Sequence, residues 1–293
     1  MAAPIIVGFD GSPHSQVAVD WAAEEARLRQ RRLLIIHSFL VLSPLATDLD
    51  SSRHEASRAS VGDLVDKEVA RIRDLNPDLE VSGKVVGGMS ASIDLVEASE
   101  DGELLVVGSR GRGRFTSLLL GSTSTQVTAY SRCPVVVVRG PAPVRSQEPD
   151  RIVVGVDASP LSQAALRFAF EEASLREARL IAVHAWTHPV ATESGDVLPQ
   201  VYSIEERADS EKRVLAEALA GWPQKYPDVP VERVCERVDA RQLLQEKSAG
   251  ACLVVLGSRG HGGFTGLLLG STTQAMVHHA DAPVAVVHSS GAS

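Results

Sequence analysis

The residues best suited to chemistry fall into two glycine-centred patterns. The first runs Gly108-x2-Gly111-x9-Gly121-Ser122, and the second Gly257-x2-Gly260-x9-Gly270-Ser271. Glycine admits positive φ and lets a ligand come close to the backbone. A glycine-rich loop leaving a strand end turns main-chain N–H groups toward an anion. Gly121-Ser122 and Gly270-Ser271 then open helices, whose first amides and dipole favour a phosphate group. Ser109, Arg110 and Thr123 complete the first set, and Ser258, Arg259 and Thr272 the second. Serine hydroxyls add hydrogen bonds, while each arginine either meets phosphate or points to solvent. The excursion between the glycine clusters is long for a strand-to-helix loop, and such loops tend to carry function.

A second group of residues lies at strand ends. Gly8-Phe9-Asp10 and Gly155-Val156-Asp157 close apolar runs. Ser12 and Ser159, each followed by proline, already supply helix N-caps. Asp10 and Asp157 are thereby left for a ligand, either a nucleoside's polar edge or a metal-bound phosphate. His37 and His184 follow second strands and read as satisfied core histidines. His278 and His279 read as a solvated helix end. Arg112 and Arg114 become His261 and Gly263 in the second pattern. The first site is therefore expected to hold a triphosphate more tightly.

These residues need a scaffold, and the chain repeats one. Ile6-Val7-Gly8-Phe9-Asp10-Gly11-Ser12-Pro13 returns as Val153-Val154-Gly155-Val156-Asp157-Ala158-Ser159-Pro160, an offset of 157 − 10 = 147. The glycine clusters return at 257 − 108 = 149. Two copies at so long a period indicate a duplicated domain, not a solenoid. The expected domains are 1–140 and 151–290, joined by a proline-bearing linker at 141–150. In the first half, strands are expected at Ile5–Asp10, Leu33–Ser38, Val81–Val86, Leu104–Gly108 and Val135–Val138. Helices are expected at Ser15–Arg29, Arg53–Leu75, Ser92–Ser99 and Ser122–Tyr130. Strands alternating with helices imply a doubly wound parallel sheet covered on both faces. Its ligand cleft lies beyond the carboxyl ends of the strands, which brings Asp10 and Gly108 to one site. Val135–Val138 reads as an apolar edge that invites pairing.

Composition narrows the partners. The 293 residues carry a net charge of -8, which argues against nucleic acid. Aromatics make up only 4%, so the core must be aliphatic, as buried parallel strands require. Cys133, Cys235 and Cys252 are too scattered for a zinc site or a disulfide framework, and Cys133 and Cys252 read as buried thiols. The amino-terminal run lacks a signal-peptide pattern, and no apolar stretch approaches the ~20 residues a membrane span needs, so the chain reads as cytoplasmic.

With the strand-end aspartates, the histidines, the Gly-Ser-Arg-Gly clusters and the closing Pro-Val-x-Val-Val on the page, the chain resembles the universal stress protein family. The likeness is to its ATP-binding branch and to tandem two-domain members, and it covers nearly the whole chain. The resemblance implies two adenine nucleotide alpha hydrolase-like domains, each a five-stranded parallel sheet of order 3-2-1-4-5. It implies one ATP per domain, accompanied by Mg2+ on the phosphates, with Asp10 and Asp157 lining the nucleotide site. It further implies an intramolecular pseudo-dimer, a protein partner, and a regulatory role in stress survival, dormancy or growth control. A homodimer stays open. The alternative is a slow ATPase or ATP-dependent transfer enzyme using the same sites. No Walker-type Gly-x4-Gly-Lys-Ser/Thr is present, and no catalytic residue is assigned. A flavin- or adenine-binding electron carrier is a third reading, which a colourless protein would exclude.

Overall fold

The structure, a computed structural model, describes residues 2–40, 48–88, 90–111, 120–140, 150–187, 204–260 and 269–288. All of the expected linker at 141–150 except Asp150, and the excursions at 112–119 and 261–268 with Arg112, Arg114, His261 and Gly263, lie outside the described residues. The chain divides into one unit of Met1–Val144 with Pro283–Ser293, and a second of Arg145–Ala282.

The first unit runs β1 (Ile5–Gly8), α1 (Pro13–Arg29), β2 (Leu33–Leu40), α2 (Asp48–Leu75), β3 (Val81–Gly88), α3 (Ala91–Ala98), β4 (Leu104–Gly108), α4 (Ser122–Tyr130) and β5 (Val135–Val138). A 3-10 turn, Ser99–Asp101, joins α3 to β4. The second unit contains β6 (Arg151–Gly155), α5 (Pro160–Leu175), β7 (Arg179–Ala185), α6 (Ile204–Ala218), α7 (Trp222–Lys225), β8 (Val231–Glu236), α8 (Ala240–Ser248), β9 (Leu253–Gly257) and α9 (Ser271–His279). The last strand, β10 (Val284–Val287), falls in the first unit.

Within the first unit the strand order is β3-β2-β1-β4-β5-β10. β1 through β5 are parallel, with Ile5 opposite both Leu33 and Leu104. β10 runs antiparallel to β5, setting Val284 against Val137 and Val286 against Val135. The expected edge at Val135–Val138 is therefore covered. Both strands are four-residue aliphatic runs with every residue buried, so leaving their amides and carbonyls unpaired would cost several kcal/mol. In the second unit, taken by itself, the order is β9-β6-β7-β8. Its fifth strand is the one grouped with the first unit.

All five residues of β4 are buried, odd and even positions alike, and cover is needed on both faces to achieve that. α1 packs on β1 and β4, and α5 packs on β6 and β9. Both helices start as the sequence indicates: Ser12 Oγ accepts from Ser15 N, Ser159 Oγ accepts from Ser162 N, and a proline follows each cap. The outer strands β3 and β8 are mostly exposed or half-buried, with one buried residue each, Val81 and Val234, which suits an edge facing water.

α7 has no counterpart among the helices expected of a half. Its Trp222, and Tyr226 immediately after the helix, stack on Phe170 of α5, at ring-centroid distances of 5.3 and 5.6 Å. No helix among the described residues is long and apolar enough to cross a membrane.

The three cysteines are free thiols. Burial pushes the Cys133 thiol up to about 11 and the Cys252 thiol up to about 12. Cys252 also donates to the Arg151 carbonyl at 3.3 Å. Since the thiolate is the reactive form, a thiol reagent at neutral pH is expected to modify Cys235 first. Cys133 and Cys252 should react only on unfolding, which mass spectrometry of native and denatured samples would check. Early modification of Cys133 would contradict this packing.

Candidate functional site

Each unit has a cleft at the carboxyl ends of its strands. β1 occupies the middle, with the loop after β4 on one side and the end of β2 on the other, which is where the winding reverses. The first cleft measures about 620 Å³ and the second about 570 Å³, within the range of ordinary small-molecule sites.

Gly8, Asp10, Gly108, Arg110, Gly111, Gly121, Ser122 and Thr123 all line the first cleft. Gly155, Asp157, Gly257, Arg259, Gly260, Gly270, Ser271 and Thr272 line the second. Ser109 and Ser258 do not: the side chains of both are buried. Ser109 N donates to Val138 O at 2.8 Å, which prolongs the β4–β5 ladder by one residue. The alternation of a strand then turns Ser109 inward and leaves Arg110 to the cleft. Ser109 O accepts from Gly121 N at 2.8 Å, and Ser258 O accepts from Gly270 N at 2.9 Å. Both serines thus tie the two ends of the glycine excursion together through main chain.

The aspartates are held by their own turns. Asp10 Oδ1 accepts from Ser12 N at 2.9 Å, and Asp157 Oδ1 accepts from Ser159 N at 3.0 Å. Such a turn fixes the carboxylate's direction. The second oxygen faces the glycine loop: a Cβ on Gly111 would stand 2.5 Å from Asp10 Oδ2, and one on Gly260 would stand 2.4 Å from Asp157 Oδ2. Any side chain at either glycine would displace the carboxylate.

Gly121 and Gly270 are a different case. Their φ values are -72° and -65°, which any residue adopts. Among the described residues, a Cβ would meet nothing nearer than 3.7 Å at Gly121 and 3.4 Å at Gly270, ordinary contact distances. Neither backbone conformation nor packing against the described residues asks for glycine at these positions. Both are N-caps without a side-chain cap hydrogen bond, unlike Ser12 and Ser159 in the same units. The first amides of a helix have no partner within it. At α4 and α9 they open onto the clefts, where their dipoles favour an anion.

The sequence pattern does not single out several lining residues. Ser124 Oγ donates to Gly108 O at 2.7 Å, and Thr273 Oγ1 donates to Gly257 O at 2.8 Å, so each anchors its helix to the strand end. Both follow the repeated Gly-Ser-Thr by one residue, a signal that was available. Ser15 and Ser162 recur at fixed spacing after the aspartates, and both line their clefts. His184 is buried, with Nδ1 2.7 Å from Val156 O and Nε2 2.9 Å from Glu211 Oε2. His37 is buried with its ring edge-on to Phe9. At the carboxyl end of α9, His278 and His279 lie 6.2 Å apart between ring centroids.

Fold and clefts together define a tandem α/β protein with a cleft at the switch point of each unit. The chain belongs to the universal stress protein family, whose model matches residues 1–139 and 149–288. It is 38% identical to a universal stress protein of Mycolicibacterium smegmatis, over 97% of this chain and 96% of that protein. It is likewise 38% identical to one from Mycobacterium tuberculosis, over 98% and 97%. Among solved structures it is similar to a universal stress protein from Archaeoglobus fulgidus, with a TM-score of 0.71 and 20% identity over 99% of this chain and 100% of that one. That last likeness concerns the fold alone.

Proposed function

We propose that the chain is a cytoplasmic ATP-binding regulator, with one nucleotide in each cleft, and that occupancy alters a surface read by a protein partner. The observation that carries this reading is the pair of glycine N-caps. The fold uses serine to cap α1 and α5, yet leaves α4 and α9 without a side-chain cap where they face the clefts. The amides of Ser122 and Thr123, and of Ser271 and Thr272, take up the phosphates, with Arg110 and Arg259 beside them. Asp10 and Asp157, fixed by their turns, accept from the nucleoside or from water on a divalent cation that arrives with the phosphates. The apolar walls opposite, Ile36 and Leu95 in the first cleft and Val183 and Leu244 in the second, suit a base. Bound nucleotide supplies charge and contacts that favour one conformation over another, and the shift can be no larger than its differential affinity. Regulation of stress survival, dormancy or growth is the role proposed.

The protein should be purified without added nucleotide, denatured, and the released small molecules identified by chromatography. ATP at about two molecules per chain, with little phosphate released on incubation, is the expected result. A flavin, or no nucleotide at all even after incubation with ATP, would contradict the reading. Fast phosphate release would move it toward an enzyme.

A further inference from the structure

The two clefts differ at the end away from the glycine loops, at a point the repeat makes easy to locate. Ile36, Ala91 and Leu95 of the first cleft match Val183, Ala240 and Leu244 of the second, all apolar. Between them the first cleft has Ser38, and the second, at 185 − 38 = 147, has Ala185. Ser38 Oγ donates to Asp94 Oδ2 at 2.5 Å. Asp94 lies in the first turn of α3 and is buried, only 7% exposed. Its counterpart at 94 + 149 = 243 is Leu243, an apolar core residue. Gly88 at the end of β3 completes the arrangement, because a Cβ there would stand 2.0 Å from Asp94 Oδ1. Serine, carboxylate and accommodating glycine thus belong to the first unit alone.

The chemistry follows from counting protons. A serine hydroxyl has one hydrogen to give and two lone pairs. A carboxylate can only accept, so Asp94 takes that hydrogen and Ser38 is left facing the cleft as an acceptor. Given the nucleotide binding proposed above, on which this rests, we infer that Ser38, oriented by Asp94, makes the first cleft selective for bases that present an amino group, and against bases that present a keto oxygen in its place. A keto oxygen facing Ser38 would set acceptor against acceptor in a partly buried site, where a lost hydrogen bond is felt most. The second cleft has only Ala185 at this point and discriminates on shape. Ser38 contacts the base in this account, and Asp94 is a positioning residue. The pair therefore does more than staple β2 to α3.

Calorimetric titration of the full chain with ATP, and separately with inosine triphosphate, tests this, since on one edge of the base the amino group becomes a keto oxygen and the adjoining ring nitrogen gains a hydrogen, and the Ser38 variants isolate the part read at Ser38. One site is expected to prefer ATP by about tenfold or more, and the other to bind both nearly alike. Ser38→Ala should collapse the preference of the selective site. Asp94→Asn should weaken it although the hydroxyl remains, because the amide can donate to Ser38 and free its proton. Ser38→Thr should restore it, a rescue that mere stapling would not tie to base identity. Thermal melts would confirm that each variant is folded. Equal ATP preference at both sites, or an unchanged preference in Ser38→Ala, would overturn the inference while leaving nucleotide binding intact. Failure of both nucleotides to bind would overturn the binding proposal and this inference with it.

Discussion

Replacing Gly121 with serine is expected to weaken ATP binding at the first cleft by about tenfold to a hundredfold while leaving stability within ~0.5 kcal/mol of the parent. Serine is a good N-cap, so the new hydroxyl will accept from the first-turn amides of α4. Those are the groups assigned to the phosphates, and a neutral hydroxyl in their place excludes a charge-assisted contact worth about 1.5–3 kcal/mol. Packing among the described residues does not object, since a Cβ at Gly121 lies 3.7 Å from its nearest neighbours there. Binding and folding are therefore predicted to separate, which few substitutions in a cleft achieve. Gly270→Ser should do the same to the second cleft alone. Calorimetry for affinity and urea unfolding for stability would check both. Unchanged affinity would mean that the helix amides do not hold the ligand, and a large loss of stability would mean that the glycines are structural after all.

The largest effect on folding is expected from Phe170→Ala. Phe170 is completely buried and packs against both Trp222 and Tyr226, which also touch each other at 6.2 Å between centroids, with its ring 9° from parallel to the Trp222 ring. Truncating a buried phenylalanine costs about 3–5 kcal/mol, and the lost stacking adds about 0.5–1.5 kcal/mol. The corresponding residue of the first half, at 170 − 147 = 23, is Ala23. The stack is thus particular to the second unit, and α7 depends on it for an apolar anchor. Urea unfolding followed by tryptophan fluorescence should show an early transition from the second unit, with ATP still bound by the first. A loss below ~1 kcal/mol would show that the site relaxes around the missing ring.

Much of this architecture is legible in the sequence because the chain carries its own internal comparison. Asp-x-Ser-Pro and the Gly-Ser-Arg-Gly cluster occur twice in register, and each marks a strand end followed by a helix start. What escaped was decided by tertiary context. Ser109 and Ser258 look like ligand residues beside a glycine, but one more ladder hydrogen bond at Ser109 turns its side chain inward. The apolar run Val135–Val138 announces an edge that invites pairing, but no local periodicity names Val284–Val287 as the antiparallel partner. α7 is a four-residue helix around Trp222-Pro223, too short to leave a periodic signature. Ser38 and Asp94 are 56 residues apart and meet only because α3 packs on β2.

In the proposed binding mode, main-chain amides at the starts of α4 and α9 hold the phosphates of an adenine nucleotide. A crystal structure of the chain grown with excess ATP tests it most directly. Phosphate oxygens within about 2.7–3.2 Å of the amide nitrogens of Ser122 or Thr123, and of Ser271 or Thr272, are the predicted result. Nucleotide bound elsewhere, or both clefts closed by neighbouring side chains under those conditions, would contradict it.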